Sequence, residues 1–178
     1  KNMNTDTKNN LEQQLWKIAN ELRGNMGADE FRDYILGFIF YKYLSEKMHL
    51  YANQILKQDG IGYADIKENS SDGTGYLEAV KEASLEKLGY FLKPSELFNK
   101  LAVRGADGSF ILDDLSAVLT SIEQSTMGTD SEEEFSNLFE DLDLTSSKLG
   151  KSEKQKNELI AKVLTHLDEI DFEIENTE

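Results

Sequence analysis

An all-α fold is predicted by three features of this sequence. It holds a single proline, Pro94, where average usage near 5% would give roughly nine. Proline removes a backbone donor and crowds the preceding turn, so its scarcity favours long helices. Apolar residues recur at three- and four-residue spacing through most of the chain. Glycine, serine and aspartate punctuate those stretches where helices would begin and end. The expected architecture is a multi-helix, bundle-like domain with at most one or two short strands, near Tyr90 and Leu142.

Residues 1–9 are polar and aperiodic and read as a disordered or added tail. Lys1 and Asn2 precede Met3, so a cut piece of a longer protein is expected. Leu11, Leu15, Ile18, Ala19 and Leu22 then follow a helical period, with Gly24 as its C-terminal stop. Asp29 is placed to cap a second helix running to about Leu56. Phe31, Ile35, Phe38, Ile39 and Leu44 make that helix apolar around most of its circumference, the mark of a central helix packed on by others. Trp16, Phe38 and Phe40 are accordingly expected in the core. Gly37 lowers helix propensity there, and close approach of a neighbouring helix would explain it.

Residues 58–75, rich in Gly, Asp, Ser and Asn, read as a loop, followed by a helix over 76–88. Tyr90 to Lys93 should be extended, because the residue before proline avoids the helical region. Ser95 should cap a short helix to about Val103, and Asp107-Gly108 mark a turn. Leu115, Val118, Leu119 and Ile122 predict an amphipathic helix from Leu112 to about Gln124. Ser131 with Glu134, and Ser152 with Gln155, have capping-box spacing ahead of two further apolar stretches.

At 178 residues the chain suits one domain with a sizeable core. It has no cysteine, which excludes a disulfide framework, a thiolate nucleophile and a Cys-ligated zinc, and fits a reducing cytosol. No apolar run approaches the ~18 residues needed to span a bilayer, so no membrane partner is expected. The net charge of −15 is concentrated. Asp130, Glu132, Glu133, Glu134, Glu140, Asp141 and Asp143 are unopposed by any base within 130–143, and Asp168, Glu169, Asp171, Glu173, Glu175 and Glu178 repeat the pattern. Residues 1–57 are near neutral. Autonomous nucleic-acid binders carry the reverse balance, because phosphate contacts are made by Lys and Arg. This piece alone should bind DNA poorly.

Three local patterns resemble active-site motifs and fail on chemistry. Thr145 to Ser152 ends as a phosphate loop does, but Thr145 stands where the first glycine must let the backbone wrap the phosphates. Gly150 as a turn and Ser152 as a cap explain the same residues. Asp141-Leu142-Asp143-Leu144-Thr145 has the spacing of an aspartyl-phosphate site, yet too little chain follows to build the α/β domain such chemistry requires. His166 and Glu169 are spaced to share a helix face, but one such pair makes no metal site. No metal is expected. Adenine-N6 methyl transfer needs an acid or amide followed by two prolines and an aromatic, which a chain with one proline cannot contain. The loop glycines Gly60, Gly62, Gly73 and Gly75 lack the strand–loop–helix frame of a nucleotide fold. No catalytic, cofactor-binding or metal-ligating residue is therefore assigned.

The run Leu15-Trp16-Lys17-Ile18-Ala19-Asn20-Glu21-Leu22-Arg23-Gly24-Asn25-Met26 leads into Phe31-Arg32-Asp33-Tyr34-Ile35-Leu36-Gly37-Phe38-Ile39-Phe40-Tyr41-Lys42-Tyr43-Leu44-Ser45-Glu46-Lys47. Together they resemble the opening of the modification (M) subunit of type I restriction-modification enzymes, where L-W-x-x-A-x-x-L-R-G-N-M precedes an F/Y-I-L-G-x-I-F-x-K-Y-x-S-x-K helix. Leu92 to Phe98, Phe139 to Gly150 and Leu167 to Phe172 also look like that family. The resemblance implies an N-terminal helical domain over 10–170. The acidic segment 171–178 would then lead to a methyltransferase domain beyond the sequence given.

For the full-length protein the resemblance implies a cytoplasmic DNA adenine-N6 methyltransferase of a bacterial restriction system, with S-adenosylmethionine as cofactor. Implied partners are a specificity subunit, a second M subunit, a restriction subunit, and DNA reached through the assembly. The helical domain would support assembly and closure around DNA. Arg23, Asn25, Arg32, Lys42 and Lys47, from the near-neutral segment 20–50, are candidate contacts with DNA phosphates or a neighbouring subunit. The alternative is a stand-alone acidic helical adaptor or DNA mimic, motivated by the acids of 130–143.

Overall fold

A 29-residue helix, α2 (Ala28–Leu56), forms the spine of the domain. The computed structural model describes residues 5–22 and 26–174. Around α2 stand α1 (Thr5–Leu22), α3 (Ser71–Lys87), α4 (Phe98–Ala106), α5 (Leu112–Ser125), the single turn α6 (Glu132–Phe135) and α7 (Glu153–Asp168). Short 3-10 turns fall at Lys57–Asp59, Tyr63–Asp65, Pro94–Glu96 and Ser147–Leu149, and no β-strand occurs among the described residues. The fold is all-α.

The core follows from which face each helix buries. In α2, Tyr34, Ile35, Phe38, Tyr41, Leu44, Met48, Ala52 and Leu56 are buried. Helix α7 buries Ile160, Val163, Leu164 and Leu167 and packs mainly on α4 and α1. Each such side chain removed from water contributes about 1.5–3 kcal/mol, so one continuous apolar cluster dominates stability. The extended segment before Pro94 threads through this core, with Tyr90, Phe91 and Leu92 buried. Two carbonyls, one within it and one just beyond it, accept from tyrosines. Tyr63 donates to the Leu92 carbonyl at 2.6 Å and Tyr41 to the Glu96 carbonyl at 2.6 Å. Tyr90 in turn donates to the Leu44 carbonyl at 2.7 Å. Buried carbonyls need such partners, which is why an irregular segment can lie inside.

Several boundaries differ from the sequence reading. Helix α1 begins at Thr5, ahead of the apolar period, because its first turn is polar and leaves no periodic trace. Arg23 to Asn25, including the Gly24 stop, lie outside the described residues. The N-cap of α2 is Gly27; Asp29 sits in the first turn, where a carboxylate favours the helix dipole. Helix α3 starts at Ser71 rather than 76, since the Ser70 hydroxyl caps it by accepting from the Gly73 N–H at 2.9 Å. The Ser131 side chain makes no cap, and the helix that its spacing with Glu134 suggested is a single turn, Glu132–Phe135. The Ser152 cap is present, accepting from the Gln155 N–H at 3.2 Å. Gly37 does face a close neighbour, but it is the Leu142 side chain from the turn after α6, not a helix.

A candidate assembly surface on helices α1 and α2

The five candidate residues of the near-neutral segment 20–50 fall into different environments. Arg32 is exposed on the first turns of α2, with its guanidinium 3.5 Å from Asp29. Lys47 is partly buried, and its ammonium lies 5.7 Å from the Tyr43 ring centre. Arg23 and Asn25 lie outside the described residues. Lys42 is different: it is only 1% exposed. Its ammonium donates to Glu46 at 2.6 Å and rests 4.7 Å from the Phe172 ring centre and 5.7 Å from that of Phe98. A charge so placed is held by one carboxylate and two aromatic faces, and reaches no phosphate in this arrangement. Burial pushes the Glu46 carboxyl above its ordinary range against the pull of Lys42, with Asp168 and Asp171 adding to the upward push.

The aromatic residues correct the sequence reading more sharply. Phe38 is fully buried, as expected, but Trp16 is 64% exposed and Phe40 47% exposed. Leu36 and Tyr43 join Phe40 on the surface, and the three stand at i, i+4 and i+7 along α2. With Ile39, the α1 residues Leu11 and Leu15, and Phe172 from the segment after α7, they line an apolar groove of about 370 Å³. The all-round hydrophobicity of α2 is the signal for this surface. It marks a helix with more apolar faces than its own domain covers, and sequence alone does not say which face stays open.

The remaining candidate chemistry resolves into local structure. The Asp143 carboxylate accepts from the Thr145 N–H at 2.9 Å and from its hydroxyl at 2.6 Å. Those bonds hold its pKa below the ordinary carboxylate value. Its own carbonyl accepts from the Tyr34 hydroxyl. At Gly150, an added Cβ would meet Gln155 Cβ at 2.8 Å and the Lys156 nitrogen at 2.9 Å, so close approach to α7 accounts for the glycine. His166 faces Glu21 across the α1–α7 contact, 3.9 Å away. A second groove of about 720 Å³ lies against α7 beside the end of α4, and its rim mixes Glu153 and Glu158 with Lys154 and Lys162. Among the described residues no three His, Cys, Asp or Glu side chains group to hold a metal. Gly60 and Gly62 flank 3-10 turns and Gly73 and Gly75 lie in α3, and none follows a β-strand among the described residues.

Residues 11–167 match the family described as the HsdM N-terminal domain. The chain belongs to that family. It is 31% identical over 175 residues to the type I restriction enzyme MpnII methylase subunit of Mycoplasma pneumoniae, an alignment covering 95% of this chain and 32% of that protein. Its fold is similar to the crystal structure of the type I restriction-modification system methyltransferase subunit from Streptococcus thermophilus. The TM-score is 0.76 at 31% identity, over 94% of this chain and 35% of the other. This HsdM N-terminal domain thus spans about a third of the length of the relatives it matches. Both are methylase or methyltransferase subunits, and neither supports the free-standing adaptor or DNA mimic. No helix among the described residues is long and apolar enough to cross a membrane.

Proposed function

We propose that this chain is the assembly and DNA-clamping domain of a type I restriction-modification M subunit whose full-length form methylates adenine N6. The observation that carries this reading is the family match over residues 11–167, joined to a 31% identical methylase subunit. In this reading residues 10–170 form the helical domain and 171–178 lead toward the catalytic one. S-adenosylmethionine would bind only to the downstream domain, where the target base is flipped out of the duplex for reaction. The helical domain's part is to hold the complex together and closed around DNA.

Its partners in this reading are the specificity subunit, a second M subunit, the restriction subunit and DNA, in the cytoplasm. With net charge −15, the domain engages DNA only inside the assembly, through backbone phosphates. Arg32 and Lys47 are the described candidates, with Arg23 and Asn25 proposed beside them. Deleting residues 1–170 from the full-length subunit tests the assembly role. Retention on an immobilised specificity subunit, with and without DNA, should fall at least tenfold. Retention equal to the intact subunit in both conditions would sink the proposal.

A further inference from the structure

The groove between α1 and α2 is lined almost wholly by apolar side chains, and Phe172, from the segment after α7, stands at its edge. Phe172 forms one wall. Its ring lies 4.7 Å from the buried Lys42 ammonium, which also donates to Glu46. Two residues further the described chain ends at Ile174, having turned at Glu173, where φ is 53°. Leu36, Phe40 and Tyr43, each 40–48% exposed, continue the same apolar surface. Exposed apolar patches of this kind mark contact surfaces on soluble domains. The relatives carry about two thirds of their length outside the matched region.

We propose that the groove over Leu36, Phe40 and Tyr43 is covered by the downstream domain of the same subunit, which packs there on α1 and α2. Phe172 is the first residue of that contact, and the Lys42–Glu46 pair is the anchor that sets where the connection starts. This rests on the proposed function to the extent that it requires a domain downstream.

Cover at the groove is read by labelling, because the chain contains no cysteine. Phe40→Cys and Leu36→Cys report the groove, and Met127→Cys, at a 67% exposed position, is the control. Maleimide modification is followed by peptide mass spectrometry in the 178-residue chain and in the protein made from the full reading frame. Both groove positions should label at least tenfold more slowly in the full-length protein, with position 127 unchanged. Equal rates at both groove positions in the two proteins overturn the proposal. So does protection in the short chain that grows with concentration, which assigns the groove to a second copy. Protection that needs added specificity subunit overturns it as well. Methylation of DNA by the full-length protein with its specificity subunit is scored separately. Activity with an unprotected groove refutes this inference alone, and a reading frame with no methyltransferase domain refutes the proposed function too.

Discussion

Lys42 is the residue whose role the linear sequence most misrepresents. Its place in the near-neutral segment 20–50 groups it with the surface cations, yet it is 1% exposed while its partner Glu46 keeps 36% of its side-chain surface. The two halves of this pair should therefore respond unequally to mutation. Glu46→Ala leaves the buried charge without its carboxylate and should cost about 2–4 kcal/mol, toward the range for broken buried pairs. Lys42→Met removes the buried charge, keeps the packing on Phe98 and Phe172, and leaves Glu46 near water, so a loss under about 1 kcal/mol is expected. Urea unfolding of the two variants checks the order, and a larger loss for Lys42→Met would contradict it. Asp143 offers a second test. Its depressed pKa, due chiefly to the Thr145 hydroxyl, adds stability that is present above the unfolded-state carboxylate pKa and lost as pH falls through the folded one. Thr145→Val removes that hydroxyl bond, so the Asp143 carboxyl, followed by carbon NMR, should titrate at higher pH than in the parent chain.

Among the helices, ends are set by different partners, and their loss should cost different amounts. Helix α4 has no side-chain cap of its own. Instead the buried Ser45 hydroxyl of α2 accepts from the Phe98 N–H at 2.8 Å. Ser45→Ala strands that N–H away from water and should cost about 1–3 kcal/mol. Ser152→Ala exposes an equivalent donor of α7 to solvent and should cost about 0.5–1 kcal/mol. Thermal unfolding and amide exchange at Phe98 measure both. Two glycines of α3 make a sharper contrast. At Gly75 an added Cβ meets nothing within 4 Å, so Gly75→Ala should stabilise by up to about 1 kcal/mol through helix propensity. At Gly73 the same carbon would run into the Lys67 backbone carbonyl, which cannot swing aside. Gly73→Ala should therefore destabilise by about 1–3 kcal/mol, the range for overpacking, despite the identical gain in propensity. Opposite shifts in urea midpoint are the expected result.

Across the domain, charge and apolar surface point to different contacts. The acids of 130–143 and 168–178 repel a phosphate backbone, so DNA affinity of the isolated domain is a poor readout of its role. The informative measurement is on the assembled complex. Arg32→Ala combined with Lys47→Ala should weaken DNA binding evenly across sequences. The same pair should lower the slope of log affinity against log salt by about 2, near 0.9 for each phosphate no longer neutralised. An unchanged slope would assign both cations to protein contacts or to plain solvation.

The helical class, the spans of α2 and α5, the Ser152 cap and the family were all legible in the linear chain. Each rests on local period, local hydrogen-bonding chemistry or short runs of residues. Leu112 to Gln124 was readable for that reason: one apolar face, at one period, against one core. Which side of an all-apolar helix stays open was settled instead by packing across the fold. Trp16, Phe38 and Phe40 have similar chemistry, but their fate depends on whether a neighbour arrives, and neighbours are distant in sequence. The same holds for Lys42, buried by Phe98 and Phe172, and for Phe98, whose cap comes from a serine 53 positions earlier. Local propensity is written residue by residue, whereas burial is a property of the partners that the fold brings together.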